Sequence, residues 1–390
     1  MGFKNQRYDN FYLLALSIWI AYMNIATANV LGSIIKSQIG YMFMSLLVVI
    51  LILLKEYLNY HLSSGRKNIN VYKFMFGILF IIMFFYVSKF NNFIPWISML
   101  LLIISGRNVS LKKQLSVFCM VSGFILFAVI IGSFVGKVPL TFSDIGNGDI
   151  RGSLGFSYVT FPSQHFLFIV CSYLLIRSRK IKIYELVLLA VVTVWLYIKT
   201  RTTSPFIFGC VILIYDLFRF KIFKKRLILE NNFLKNSVRG IFILAPIIVF
   251  ALMYALPSNL FFFVDKLVNT RLSLALRGMY DYGITAFGQR IDYVGFENGH
   301  ATNNYFYIDS SYVQSFIQNG WVFTVLALLI FTYCINWAIK SGKDLLVMVI
   351  VIAALHAMFD PQLFLLAYSP IVLLIGKFFD KTDYDPNWVL

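Results

Sequence analysis

The apolar residues of this chain come as about twelve separate runs, each flanked by charge, and that spacing limits what it can fold into. The run at 42–54, MFMSLLVVILILL, carries no charge at all. Crossing the hydrocarbon core of a bilayer takes roughly 20 mostly apolar residues as helix. In lipid every backbone amide needs an internal partner, so chains cross as helices or as closed barrels. The short alternating strands of a barrel are absent. The reading is therefore an all-α, polytopic integral membrane protein of about 12 transmembrane helices. The runs place spans near 10–30, 38–54, 71–88, 91–105, 115–135, 158–176, 183–198, 203–218, 240–256, 312–338, 344–359 and 361–377. So many spans in 390 residues leave no room for a soluble domain, and 1–390 reads as a single membrane domain. Chemistry then falls to loops and helix ends at one membrane face.

The net charge of +17 is placed where it orients a membrane protein, in short loops between spans, and not as a nucleic-acid surface. With a cytoplasmic N-terminus, 24 of the 34 Lys and Arg residues fall on the cytoplasmic side and ten outside, which puts both termini in the cytoplasm. The 219–239 segment is the most basic and suits anionic headgroups. Ala26-Thr27-Ala28 mimics a signal-peptidase site, but the many later spans favour an uncleaved first helix. All four cysteines lie inside apolar runs, as packed thiols do.

Two external segments break the short-loop pattern, 136–157 and the much longer 257–311. Loops of that length are functional or disordered, and the aromatics of 257–311 supply enough burial to order it. Within it, LVNTRLSLALRGMYDYG has helical spacing. No acidic residue sits mid-span, whereas ion-coupled transporters hold their ion with membrane-embedded carboxylates or unwound helices. No His or Cys pair has metal-ligand spacing, so the reading calls for no metal and no cofactor.

What the external face does carry is arginine. Arg151, Arg201, Arg271, Arg277 and Arg290 are five of its ten bases, although lysine outnumbers arginine 21 to 13 in the whole chain. The guanidinium grips phosphate or carboxylate with two parallel donors and stays charged when desolvated. A plainer reading pairs these arginines with Asp281, Asp292 or Glu297, or with lipid phosphates. As a group they suit an anionic, membrane-borne substrate such as a lipid pyrophosphate.

Three patches then resemble the Wzy-type polymerases of bacterial surface polysaccharides, relatives of the O-antigen ligases. RGSLGFSYVTFPSQHF at 151–166 resembles their Arg-x-x-x-Gly-Phe approach to a span. KTRTTSPF at 199–206 resembles a Thr-x-Ser-Arg at a helix start, with Arg201 before the serine here. TRLSLALRGMYDYGITAFGQ followed by NNYFYIDSSYVQSFIQNGW resembles their Arg-rich stretch ending at a Gly, then Asp309, Tyr312 and Gly320. The resemblance implies a GT-C-like glycosyltransferase fold in the bacterial inner membrane, with its active face external. It implies a polymerase that joins undecaprenyl-pyrophosphate-linked repeat units into O-antigen or capsule. Donor and acceptor glycans, membrane lipids and a chain-length regulator would be its partners. A polysaccharide ligase shares the donor, and a flippase or exporter of lipid-linked sugars is the reading from another class; the latter would line a central cavity with its basic residues.

Such a reaction wants fixed cations for the leaving pyrophosphate and a base for the acceptor hydroxyl. Arg277, followed by Gly278 where a helix could end, is the first candidate for the pyrophosphate, with Arg151, Arg201, Arg271, Arg290 and Tyr312 as further substrate contacts. Six residues apart on a straight helix, Arg271 and Arg277 point about 240° apart, so both reach one phosphate only across a bend. Candidate bases are His300, Asp309, Glu297 and Asp292. His300 titrates nearest neutrality, and Asp309, at a span's start, is expected as an orienting residue or helix cap. His165 and His356 are expected to be packed.

Overall fold

The computed structural model describes residues 2–30, 37–60, 71–144, 150–297 and 300–379. Among them are sixteen α-helices and two short hairpins. In chain order the first helices are α1 (Gly2–Ala26), α2 (Gln38–Tyr60), α3 (Val71–Val87), α4 (Phe93–Ser105) and α5 (Leu111–Phe134). Strands β1 (Phe142–Asp144) and β2 (Ile150–Gly152) pair antiparallel, Ser143 opposite Arg151. Then come α6 (Phe161–Arg177), α7 (Ile183–Thr200), α8 (Thr203–Leu217), α9 (Asn232–Arg239), α10 (Ile241–Tyr254), α11 (Ser258–Leu267) and α12 (Arg271–Asp281). The second hairpin is β3 (Val294–Glu297) with β4 (His300–Phe306). After it lie α13 (Ser311–Gln318), α14 (Gly320–Lys340), α15 (Asp344–His356) and the single turn α16 (Ile375–Phe378).

The chain is a helical, membrane-embedded protein. Among the described residues five helices are long and apolar enough to cross a bilayer: α2, α3, α5, α7 and α14. The pair α9 and α10 makes a sixth if its 70° bend is counted within one span. The surfaces of these helices show what they face. Only 22% of α7 is buried within the protein, and Ile183, Val187, Val191, Val194 and Ile198 run exposed along one side of it. In water such a stripe would drive association; in a bilayer it is the lipid-facing side. Helix α14 is 67% buried and so packs among its neighbours.

By internal contacts the chain divides into two units. The first comprises 1–74, 94–224 and 366–390, the second 75–93 and 225–365. In the first, α1 packs on α2 and α5, and α5 on α6. Buried side chains tie these helices together: Trp19 donates to Ser98 Oγ at 3.0 Å and Asn24 to Ser122 Oγ at 2.9 Å. The end of α2 is latched to that of α4, where Arg107 Nη2 meets Glu56 Oε2 at 2.7 Å and Lys55 Nζ donates to the Ser105 carbonyl. In the second unit α10 packs on α12, α14 and α15. Phe323 stacks on Phe80 and meets Phe84 edge-on.

Two expected spans take other forms. The 312–338 run is broken at Gly320, whose φ of +81° favours a residue without Cβ, and so becomes α13 and α14. The 361–377 run is not a helix. Turns follow α15, Pro370–Leu374 forms a 3-10 turn, and only Ile375–Phe378 is α-helical. Pro361 and Pro370 remove amides from any continuous ladder. This segment is almost wholly buried in protein, the setting in which irregular backbone is tolerated at membrane depth.

Candidate active site around Arg271

The 257–311 segment is ordered over its described residues by α11, α12 and the β3–β4 hairpin. The helix expected from its spacing is α12. Asn269 and Thr270 just before it have φ of +56° and +60°, a left-handed pair that costs about 1–3 kcal/mol per residue. Asp265, at the end of α11, supports that turn. Its Oδ1 accepts from the amides of Leu272 (2.9 Å) and Ser273 (3.0 Å), and Thr270 N donates to its carbonyl at 2.8 Å. A carboxylate at the start of α12 also suits the helix dipole.

The turn aims Arg271 inward. Its Nη1 donates to the Phe359 carbonyl and lies 3.4 Å from Asp360 Oδ2, while its Nε lies 3.6 Å from Asp309 Oδ2. Asp360 Oδ2 is also 3.2 Å from His356 Nδ1, and His356 Nε2 is 3.4 Å from Gln362 Oε1. His356 and Asp360 are each 1% exposed, Asp309 18%. One guanidinium thus stands between two carboxylates, and only Asp309 has appreciable access to solvent. Burial pushes the Asp309 carboxyl up to about 6; Arg271 pulls it down, and the charge of Asp360 pushes it up again.

The folded protein holds a proton on Asp309 that the unfolded chain has lost above about pH 4. This group's contribution to stability is therefore present below that pH, falls as pH rises toward 6 and is gone above it. Thermal unfolding of detergent-solubilised wild type and Asp309→Asn is expected to diverge across that window and run parallel above it.

Residues 305–309 run alongside α12 from Arg277 to Arg271. Gly278 lies so close to Ile308 that a Cβ would sit 2.5 Å from its Cδ1. Arg277, half exposed, pairs with Asp281 at 3.3 Å, reaches the Tyr305 carbonyl at 3.4 Å and lies 5.0 Å from the centre of the Phe306 ring. Tyr282 and Tyr293 stack near the same ring at 5.9 and 6.2 Å. The Tyr293 hydroxyl donates to Gln318 Oε1 and accepts from Gln314 Nε2, which ties the hairpin to α13. Arg271 and Arg277 therefore serve opposite ends of one extended segment, as their angular separation on the helix requires.

The other expected site residues divide between the two units. Arg290 pairs with Asp292 in the open, both above 80% exposed. Tyr312 is fully buried and its hydroxyl donates to the Ala354 carbonyl at 2.8 Å, a packing position with no face left for a ligand. Asp309 does not cap α13; Ser310 does, accepting from Val313 N. His300 opens β4 opposite Glu297, and its side chain lies outside the described residues. In the first unit, Arg151 is part-buried in β2, and Arg201 ends α7 with a φ of +50°. The two patches holding them meet where Ser163 and Thr200 hydroxyls approach to 2.8 Å. His165 is buried and stacked on Tyr368 at 4.3 Å.

His356 and Asp360 are the part of the cluster that the motifs did not point to. A signal was present in HAMFDPQ at 356–362, where a His and an Asp one helical turn apart directly follow an apolar helix. Among the described residues no three His, Cys, Asp or Glu side chains converge as a metal site. Comparison of the chain with protein-family models, with curated proteins and with solved structures returns no match.

Proposed function

We propose that this protein is a membrane glycosyltransferase that extends a surface polysaccharide on undecaprenyl pyrophosphate, with the 257–311 segment on the external face. The observation that carries this reading is the pairing of two unlike groups along residues 305–309. At one end Arg277 offers a half-exposed fork over an aromatic ring. At the other, Asp309 holds a carboxyl between Arg271 and solvent that burial raises to about 6. In the reaction, the acceptor hydroxyl attacks the anomeric carbon of the donor chain and gives its proton to Asp309. The carbon–oxygen bond to pyrophosphate breaks, and the lipid pyrophosphate leaves with the electron pair, its charge met by arginine. About twelve membrane passages, a GT-C-like arrangement and cytoplasmic termini belong to the same proposal.

The direct test is extension of a lipid-linked repeat unit by the purified protein. Arg277→Lys keeps the charge but loses the fork, and is expected to lose most polymer at normal protein level. Wild-type chain length in that variant would remove Arg277 from the site and move attention to Arg151 and Arg201. Chelator is expected to leave extension unchanged, and rescue of a chelated enzyme by manganese or magnesium would overturn the metal-free chemistry. A reporter active only outside the membrane should light up when fused near Asn298 and stay dark after Leu390; the reverse would invert the topology. In a deletion strain, surface acceptor carrying a single repeat unit supports a polymerase, and acceptor carrying none points to a ligase.

A further inference from the structure

Behind Arg271 lies a pair of groups for which the proposed reaction has no direct use. His356 and Asp360 are sealed from solvent and lie 3.2 Å apart, Nδ1 to Oδ2. Ser311 staples the turn after α15: its amide donates to the Ala357 carbonyl at 3.0 Å, its hydroxyl donates to the Asp360 carbonyl at 2.6 Å and accepts from Leu363 N at 3.1 Å. Tyr312 holds Ala354 one turn earlier. The Asp360 backbone is fixed in this way, and its carboxylate lies 3.2 Å from His356 Nδ1.

An arginine forked onto a single carboxylate keeps that carboxylate ionised and makes it a poor proton acceptor near neutrality. Arg271 is instead anchored on the Phe359 carbonyl and divided between Asp309 and Asp360. We infer that His356 and Asp360 are positioning residues that hold Arg271 between two carboxylates, and so keep Asp309 available as the proton acceptor of the transfer. The groups facing Asp309 are Arg271 from α12, Asp360 from the turn after α15 with His356 behind it, and Tyr293 from the lead into β3. Of these, Asp360 is the one whose negative charge both repels a second charge on Asp309 and draws Arg271 away from it.

The inference rests on the proposed reaction only for what the proton is used for, so its test has a readout outside activity. Protein with isotope-labelled aspartate, reconstituted in lipid, is titrated by infrared difference spectroscopy. A protonated-carboxyl band is expected to disappear with a midpoint near pH 6, and to be missing in Asp309→Asn. In Asp360→Asn the midpoint should fall by about one to three pH units, because Asp309 loses a negative neighbour and takes the whole of Arg271. His356→Leu should move it the same way by less, and His356→Gln, which keeps a donor toward Asp360, should restore it. The His356 pair serves if Asp360→Asn does not fold. An unmoved midpoint in a folded Asp360→Asn or His356→Leu protein, or no band near pH 6 in wild type, overturns the positioning role. The transfer rate adds a second reading, since the limb of its pH profile set by Asp309 should shift with the band. Wild type that shows the band and its shifts but extends no glycan keeps the positioning role and overturns the proposed reaction. Normal extension with an unmoved profile in Asp360→Asn does the reverse.

Discussion

Arg271→Ala is expected to lose roughly 3–5 kcal/mol of stability, because it strips the cation from two carboxylates and leaves Asp360 buried without it. Few of these contacts reach solvent: Arg271 is 16% exposed and Asp360 1%. The anchor on the Phe359 carbonyl is lost as well, so α12 and the turn after α15 come apart together. Thermal unfolding in detergent, and protease sensitivity within 257–311, would show it. Arg271→Ala combined with Asp360→Asn should recover part of the loss, since the double change buries a neutral amide in place of an orphaned charge. A single variant as stable as wild type would show that the cluster contributes no net stability.

The second large effect is at Gly320. Its φ of +81° and its contact with Gly288 act together, for a Cβ at Gly320 would lie 2.3 Å from the Gly288 amide nitrogen. Gly288, at φ +86°, faces the Gln318 carbonyl just as closely. Around this contact Gln289 N donates to the Gln318 carbonyl at 3.0 Å and Trp321 N to the Thr285 carbonyl at 3.0 Å. Gly320→Ala therefore adds left-handed strain to a backbone collision that no side chain can relieve by turning away. The expected loss is roughly 2–5 kcal/mol. It should appear as release of 285–289 from the α13–α14 junction, read as faster amide exchange there. Gly295→Ala, with nothing within 4 Å of its added Cβ, is the matched control and should change little.

Hydropathy carried the helical, membrane-embedded character, because lipid leaves a helix few alternatives and long uncharged runs such as 42–54 have no other stable home. Helical spacing likewise located α12. Pairings across the fold were less legible. That Arg271 would be divided between Asp309 and Asp360 depends on a left-handed turn at Asn269-Thr270, which Asn tolerates but a β-branched Thr does not announce. The burial of Tyr312 was hidden for a related reason. Motif spacing put it beside Asp309, but helical geometry turns it the other way, onto the Ala354 carbonyl. The same holds for 361–377: composition marks it as apolar, but only its neighbours decide whether an apolar run becomes a span or a plug.

A helix that closes its own hydrogen bonds can leave the translocon sideways, into lipid, as soon as it is made. The run from Ala357 to Leu374 cannot, since much of its backbone lies in turns that lipid will not solvate. Gly376, beyond it, sits so close to the Ile103 carbonyl that a Cβ there would be 2.7 Å away. Helix α4 must therefore already be in place to receive it. Residues 357–376 enter the fold by docking onto finished neighbours, so membrane integration and folding are separate events for this segment.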